Sequence, residues 1–148
     1  MSETAWAIEH FVETKATPVY AWTYMTDVKN WDDPPATFRL EGSFTSGAAG
    51  TTELPGQEAR QWRLRDVVSR ECYTIEIALD GAAVLCKWMF AEISEGRTRL
   101  TQHITLKGEK ASSYSDDVQR AFEPGLAPGM TRIATAIDRA FARDKSSS

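Results

Sequence analysis

One apolar stripe dominates the last third of the chain. Val118, Phe122, Leu126, Met130, Ile133, Ile137 and Phe141 recur every three or four residues, the spacing of an amphipathic helix. The register persists across Pro124-Gly125 and Pro128-Gly129, which predicts one long C-terminal helix, kinked or interrupted at the prolines. Asp116 and Asp117 suit its positive end, Arg139, Arg143 and Lys145 its negative end, and Ser115 or a neighbouring serine its N-cap. The tail, residues 146–148, is expected to fray. A stripe of this length needs a broad apolar surface to cover it.

The segment from Ala36 to Gly108 supplies that surface. ATFRLEGSF, GTTEL, ARQWRLRDVV, ECYTIEIAL, AAVLCKWMFAEI and RTRLTQHITLKG read as strands, separated by Ser46-Gly47, Pro55-Gly56, Asp80-Gly81 and Glu95-Gly96. Asp80-Gly81 is the best hairpin signal, because a type I′ turn needs positive φ at both central positions. Alternation puts Phe38, Leu40, Trp62, Leu64, Tyr73, Ile75, Ile77, Trp88, Phe90, Leu100, Gln102, Ile104 and Leu106 on one face. Arg63, Arg65, Glu76, Lys87, Thr101, His103 and Thr105 take the other. A one-residue bulge would exchange the faces within a strand.

Residues 5–14 alternate too, with Trp6, Ile8, His10 and Val12 on the face free of carboxylates. Thr17 and Pro18 then open a helix that carries Val19, Trp22 and Met25. Asp27 caps a second short helix with Val28 and Trp31, stopped by Pro34-Pro35. The order predicts an α+β fold in one domain, residues 1–148: a strongly curved antiparallel sheet of about seven strands, two short helices after strand 1, and a long C-terminal helix. Such a sheet spans more than the ~10–12 Å diameter of one helix, so a cavity is expected between them.

Charge narrows the partners. A net charge of −4, with no cluster of Lys and Arg, argues against nucleic acid or an anionic membrane surface. No apolar run approaches the ~20 residues of a membrane span, and MSETAWAIEH lacks the features of a signal peptide, so cytoplasm is the expected compartment. Cys72 and Cys86 stand far apart and read as reduced, buried thiols. Neither they nor the two histidines have ligand-pair spacing, so neither metal nor cofactor is expected.

Four stretches, ATPVYAWTYMTDVKNWDD, LEGSFTSGAAGTTEL, RTRLTQHITLKGEKA and FEPGLAPGMTRIATAID, stand in an order and spacing that resemble the SRPBCC superfamily, the START or Bet v 1-like helix-grip fold. The likeness is greatest to the polyketide cyclase/dehydrase group. This resemblance implies a hydrophobic ligand cavity between sheet and helix. It implies little chemistry, since carriers, cyclases, hydrolases, aromatase-type enzymes and chaperone-associated modules share the fold.

His10 is the sharpest candidate within such a pocket, as an orienting group or a general acid/base, with a hydrogen-bonded core histidine as the alternative. Gln102 shares its face if the first and last strands pair, as the resemblance implies. Asp66 is in phase with Trp62 and Leu64, so it reads as an inward carboxylate unless it lies at an exposed strand end. Tyr73 offers a hydroxyl; Trp62 and Trp88 offer faces for a flat ligand; Phe90 and Met130 line apolar space. Gly125 and Gly129 would allow close backbone approach, or merely a bend. The expectation is a small hydrophobic or aromatic ligand of polyketide- or lipid-like kind. The alternatives are a metal-independent cyclase, dehydratase or hydrolase in the same cavity, and a chaperone-associated interaction module. A homodimer, through an edge strand or a helix, stays open.

Overall fold

A computed structural model describes residues 4–31 and 35–146. The strands β1 (Thr4–Thr14), β2 (Thr37–Leu40), β3 (Ala49–Glu53), β4 (Arg60–Val68), β5 (Cys72–Leu79), β6 (Ala82–Ser94) and β7 (Arg97–Lys107) form one curved antiparallel sheet in the order β1-β7-β6-β5-β4-β3-β2. Helix α1 (Pro18–Met25) and a 3-10 turn (Val28–Trp31) follow β1. A second 3-10 turn (Ala111–Tyr114) leads into α2 (Ser115–Ser146).

The short helices form for local reasons. Thr17 Oγ1 accepts the Tyr20 amide proton at 3.1 Å and Pro18 takes the first helical position, where its missing N–H costs nothing. Asp27 Oδ1 accepts from the Lys29 amide at 3.2 Å at the start of the 3-10 turn. Of the Pro34-Pro35 stop, Pro34 lies outside the described residues. Strand β2 is shorter than the alternation suggests. It ends at Leu40, Gly42 turns the chain at φ 78°, and the loop that follows brings Phe44 onto the core.

Helix α2 runs unbroken through Pro124 and Pro128. Each proline removes one backbone hydrogen bond, but both lie on the exposed side of the helix, where the freed carbonyls are open to solvent. The buried stripe below them includes Val118, Leu126, Met130, Ala134 and Ile137. It meets the inner sheet face, where Leu64, Leu100, Ile104 and Leu106 are 0–2% exposed. None of the described helices is long and apolar enough to cross a membrane.

Polar contacts fix α2 on the sheet at its far end. Asp138 Oδ1 accepts from Thr14 Oγ1 at 2.5 Å and from the Lys15 amide at 2.8 Å, where β1 gives way to α1. One turn further, Tyr20 of α1 lies edge-on to Phe141 at 5.0 Å and donates its hydroxyl to Asp144 at 2.6 Å. Partial burial, then this bond to a carboxylate, pushes the Tyr20 phenol up to about 12. A raised folded-state value means that the contribution is complete below pH 10 and is lost as pH rises towards 12. The stability difference between wild type and Tyr20→Phe should therefore shrink across that window. Denaturant melts of both proteins at several alkaline pH values check it.

Candidate functional site

Strand register assembles the inward candidates into one row. His10 of β1 pairs with Gln102 of β7, Gln102 with Trp88 of β6, and Trp88 with Tyr73 of β5. All four stand on the concave face. His10 and Gln102 are half-buried, and their side chains have no hydrogen-bond partner among the described residues. Trp88 and Tyr73 are 5% and 1% exposed. Burial, with a smaller push from the Cys86 thiol, raises the Tyr73 phenol far above its usual range, so it stays protonated as a donor. Cys86 is also on the inner face, and burial pushes its thiol up to about 12, which leaves it a weak nucleophile. Its membership of this polar patch was missed from sequence, although its alternation with Val84 and Trp88 carried the signal.

Beyond Tyr73, the expected void is taken up by protein rings. Trp22 of α1 approaches Phe90, Tyr73 and Phe44 at 5.2, 5.9 and 6.2 Å between centroids. Trp31 approaches Trp62, Phe38, Phe44 and Tyr73 at 5.3–6.1 Å. A curved sheet leaves room beside its helix, and the short helices and the loop carrying Phe44 fill it. Trp62 and Phe90 thus sit inside an aromatic cluster, and Met130, 1% exposed, is a core residue of α2.

Two sequence expectations need correction. Asp66 is exposed, not inward: it adopts φ 50° where the β4–β5 register shifts between Arg65 and Val68, and Val67 packs against the core instead. The bulge exchanges the faces there, as a one-residue insertion must. Nor does either helical glycine mediate a close approach. A Cβ on Gly125 would meet nothing within 4 Å, and one on Gly129 only Arg132 Nη2 at 3.7 Å. Both glycines therefore cost helix stability, and Gly125→Ala should gain about 1 kcal/mol in a urea melt.

Outward residues lie as alternation placed them. His103 faces solvent, with its Nδ1 3.5 Å from Glu9. Two depressions among the described residues lie outside the grip. One, of about 240 Å³, is on the outer face between Glu41, Ala49, Arg63 and Glu76; the other runs along the exposed side of α2 by Asp116, Arg120 and Glu123.

No family model and no curated protein matches the sequence, whereas many solved structures match the fold. Truncated norcoclaurine synthase from Thalictrum flavum superposes with a TM-score of 0.68 at 14% identity, over 90% of this chain and 91% of that one. The chain has the Bet v 1-like helix-grip fold. A second helix-grip structure, norcoclaurine synthase in complex with dopamine and hydroxybenzaldehyde, gives 0.65 at 13% identity over 97% and 88%. Protein Ms6760 from Mycobacterium smegmatis gives 0.62 at 16% over 95% and 93%. Identities this low establish the shared fold. In this helix-grip chain, the concave face carries His10 and Gln102 side by side between the sheet and α2.

Proposed function

We propose that this chain is a single helix-grip domain of the cytoplasm that binds a small hydrophobic or aromatic molecule, polyketide- or lipid-like, between the curved sheet and α2. The observation that carries the reading is the His10–Gln102 pair: two half-buried polar side chains without hydrogen-bond partners among the described residues, set among Ile8, Ile104 and Trp88 on the concave face. Unpartnered polar groups in an apolar setting orient a ligand, while the apolar area displaced supplies affinity at ~25 cal/mol per Å². That a structure of the same fold holds dopamine and hydroxybenzaldehyde supports an aromatic ligand. A panel of aromatic, polyketide-like and fatty compounds, followed by tryptophan fluorescence and thermal shift, tests it. Saturable binding by at least one class, weakened in Gln102→Ala, is expected; a panel without any saturable response would count against the proposal.

The place of Tyr73 on the same concave row as His10 and Gln102 favours a second reading, metal-independent cyclase, dehydratase or hydrolase chemistry in the same place. A donor held neutral in a dry site stabilises a developing enolate, and His10 would move the proton. His10→Ala separates the two readings, because a carrier keeps most of its affinity, whereas an enzyme keeps substrate and loses turnover.

A further inference from the structure

The indole of Trp31 is held as a ligand would be. It stacks on Tyr73 with planes 12° apart at 6.1 Å and lies tilted over Trp62 at 5.3 Å. Phe38 and Phe44 meet it edge-on, at 78° and 89°. Its Nε1–H donates to the Met25 carbonyl at 2.5 Å. Four aromatic rings and one carbonyl acceptor thus surround a flat bicyclic group that carries one N–H. Aromatic pairs in these geometries are favourable beyond the area they bury.

The occupant is loosely tethered. The 3-10 turn Val28–Trp31 contributes no fully buried residue, and Trp31 itself is only half-buried. Besides the indole contacts and its packing on β2, the turn is held by its own Asn30–Asp27 backbone bond at 2.9 Å and by side-chain bonds of Asp27 and Asn30, both exposed. The box behind it is rigid by comparison, since Trp62 and Tyr73 are 6% and 1% exposed and sit on β4 and β5.

We propose that this aromatic box is a binding site for a flat one- or two-ring aromatic molecule with a hydrogen-bond donor on its rim, and that the Trp31 indole occupies it until such a molecule displaces it. This rests on the reading of the chain as a binder of small aromatics and adds a seat at the Tyr73 end of the row that begins at His10. The incoming ring stacks on Tyr73 and tilts against Trp62. Its donor takes the Met25 carbonyl. Trp31 swings into solvent with the 3-10 turn. The apparent affinity is then the intrinsic one reduced by the fraction of molecules whose box is vacated.

Indole is the probe, since it reproduces the occupant without its tether. Wild-type protein labelled with 5-fluorotryptophan gives one 19F resonance per tryptophan, and Trp31→Phe identifies that of Trp31. At saturating indole, the Trp31 resonance should move to a solvent-exposed position. Trp31→Gly should bind indole at least ~10-fold more tightly than wild type, because it has no side chain to eject. A Trp31 resonance that stays in place while indole saturates the protein overturns the displacement and leaves the proposed function standing. Absence of saturable indole binding in both wild type and variant overturns the box itself. Should Trp31→Gly not fold, absence of saturable indole binding by the wild type alone overturns the box. Failure of every compound in the broader panel is the separate result that would remove the proposed function.

Discussion

Gly50→Ala should destabilise the protein by about 2–3 kcal/mol, a large loss for the addition of one methyl group. Gly50 of β3 pairs with Trp62 of β4, and the Trp62 indole lies directly over it. A Cβ built there would come 2.2–2.5 Å from three atoms of that ring. The ring has little freedom to retreat. Its Nε1 donates to Thr52 Oγ1 at 3.1 Å and its face meets Trp31 at 5.3 Å. Trp62→Ala alone should cost about 3–5 kcal/mol by opening a cavity in the cluster. In that background Gly50→Ala should become nearly neutral, because nothing remains to collide with. Chemical denaturation of the four proteins of this cycle measures the coupling, and additive losses would contradict the contact.

Asp138→Ala is the second substitution with a large expected effect, again about 2–3 kcal/mol. One carboxylate oxygen accepts both the Thr14 hydroxyl and the Lys15 amide. Thr14 is completely buried and its hydroxyl also accepts from the Ala16 amide at 3.2 Å, so removal of the carboxylate leaves a buried donor without its acceptor. Hydrogen bonds to a charged acceptor are worth more than neutral ones. Asp138→Asn, which keeps an oxygen in the same place, should therefore lose only about 1 kcal/mol. Equal losses in the alanine and asparagine variants would show that charge, not the acceptor oxygen, holds α2 to β1.

Much of this architecture is legible in the residues themselves. Alternation in β4–β7 fixes which side chains face α2 because a single-residue slip would expose Leu64, Leu100 and Ile104 together. Thr17-Pro18 announces α1 through capping chemistry, which is local. The stripe from Val118 to Phe141 announces α2 even through its prolines, since burial on one side outweighs two lost backbone bonds on the exposed side. Asp66 escapes this logic because a bulge is a two-strand property: its φ of 50° reflects the register shift against β5, which β4 alone does not encode.

The site was half legible. Parity alone put His10 and Gln102 on one face, and the β1–β7 pairing made them neighbours. The filling of the grip was not readable, because it depends on contacts between remote segments. Trp31 and Phe44 look in sequence like anchors of a short turn and a loop, yet both converge on Tyr73, at 6.1 and 5.0 Å. Gly50 is similar: its role becomes visible only once Trp62 is known to lie across it. Architecture predicts space between a curved sheet and one helix, but side chains far apart in the chain decide how much of it stays empty.

Binding on the concave face is best tested by titrating 15N-labelled wild-type protein with a flat aromatic such as 2-naphthol and mapping the shifted amide and side-chain resonances. Saturable changes at His10, Gln102, Trp88 and Tyr73 are the predicted result. Absence of saturable change across aromatic ligands, or changes confined to the outer depression at Glu41, Arg63 and Glu76, would contradict it.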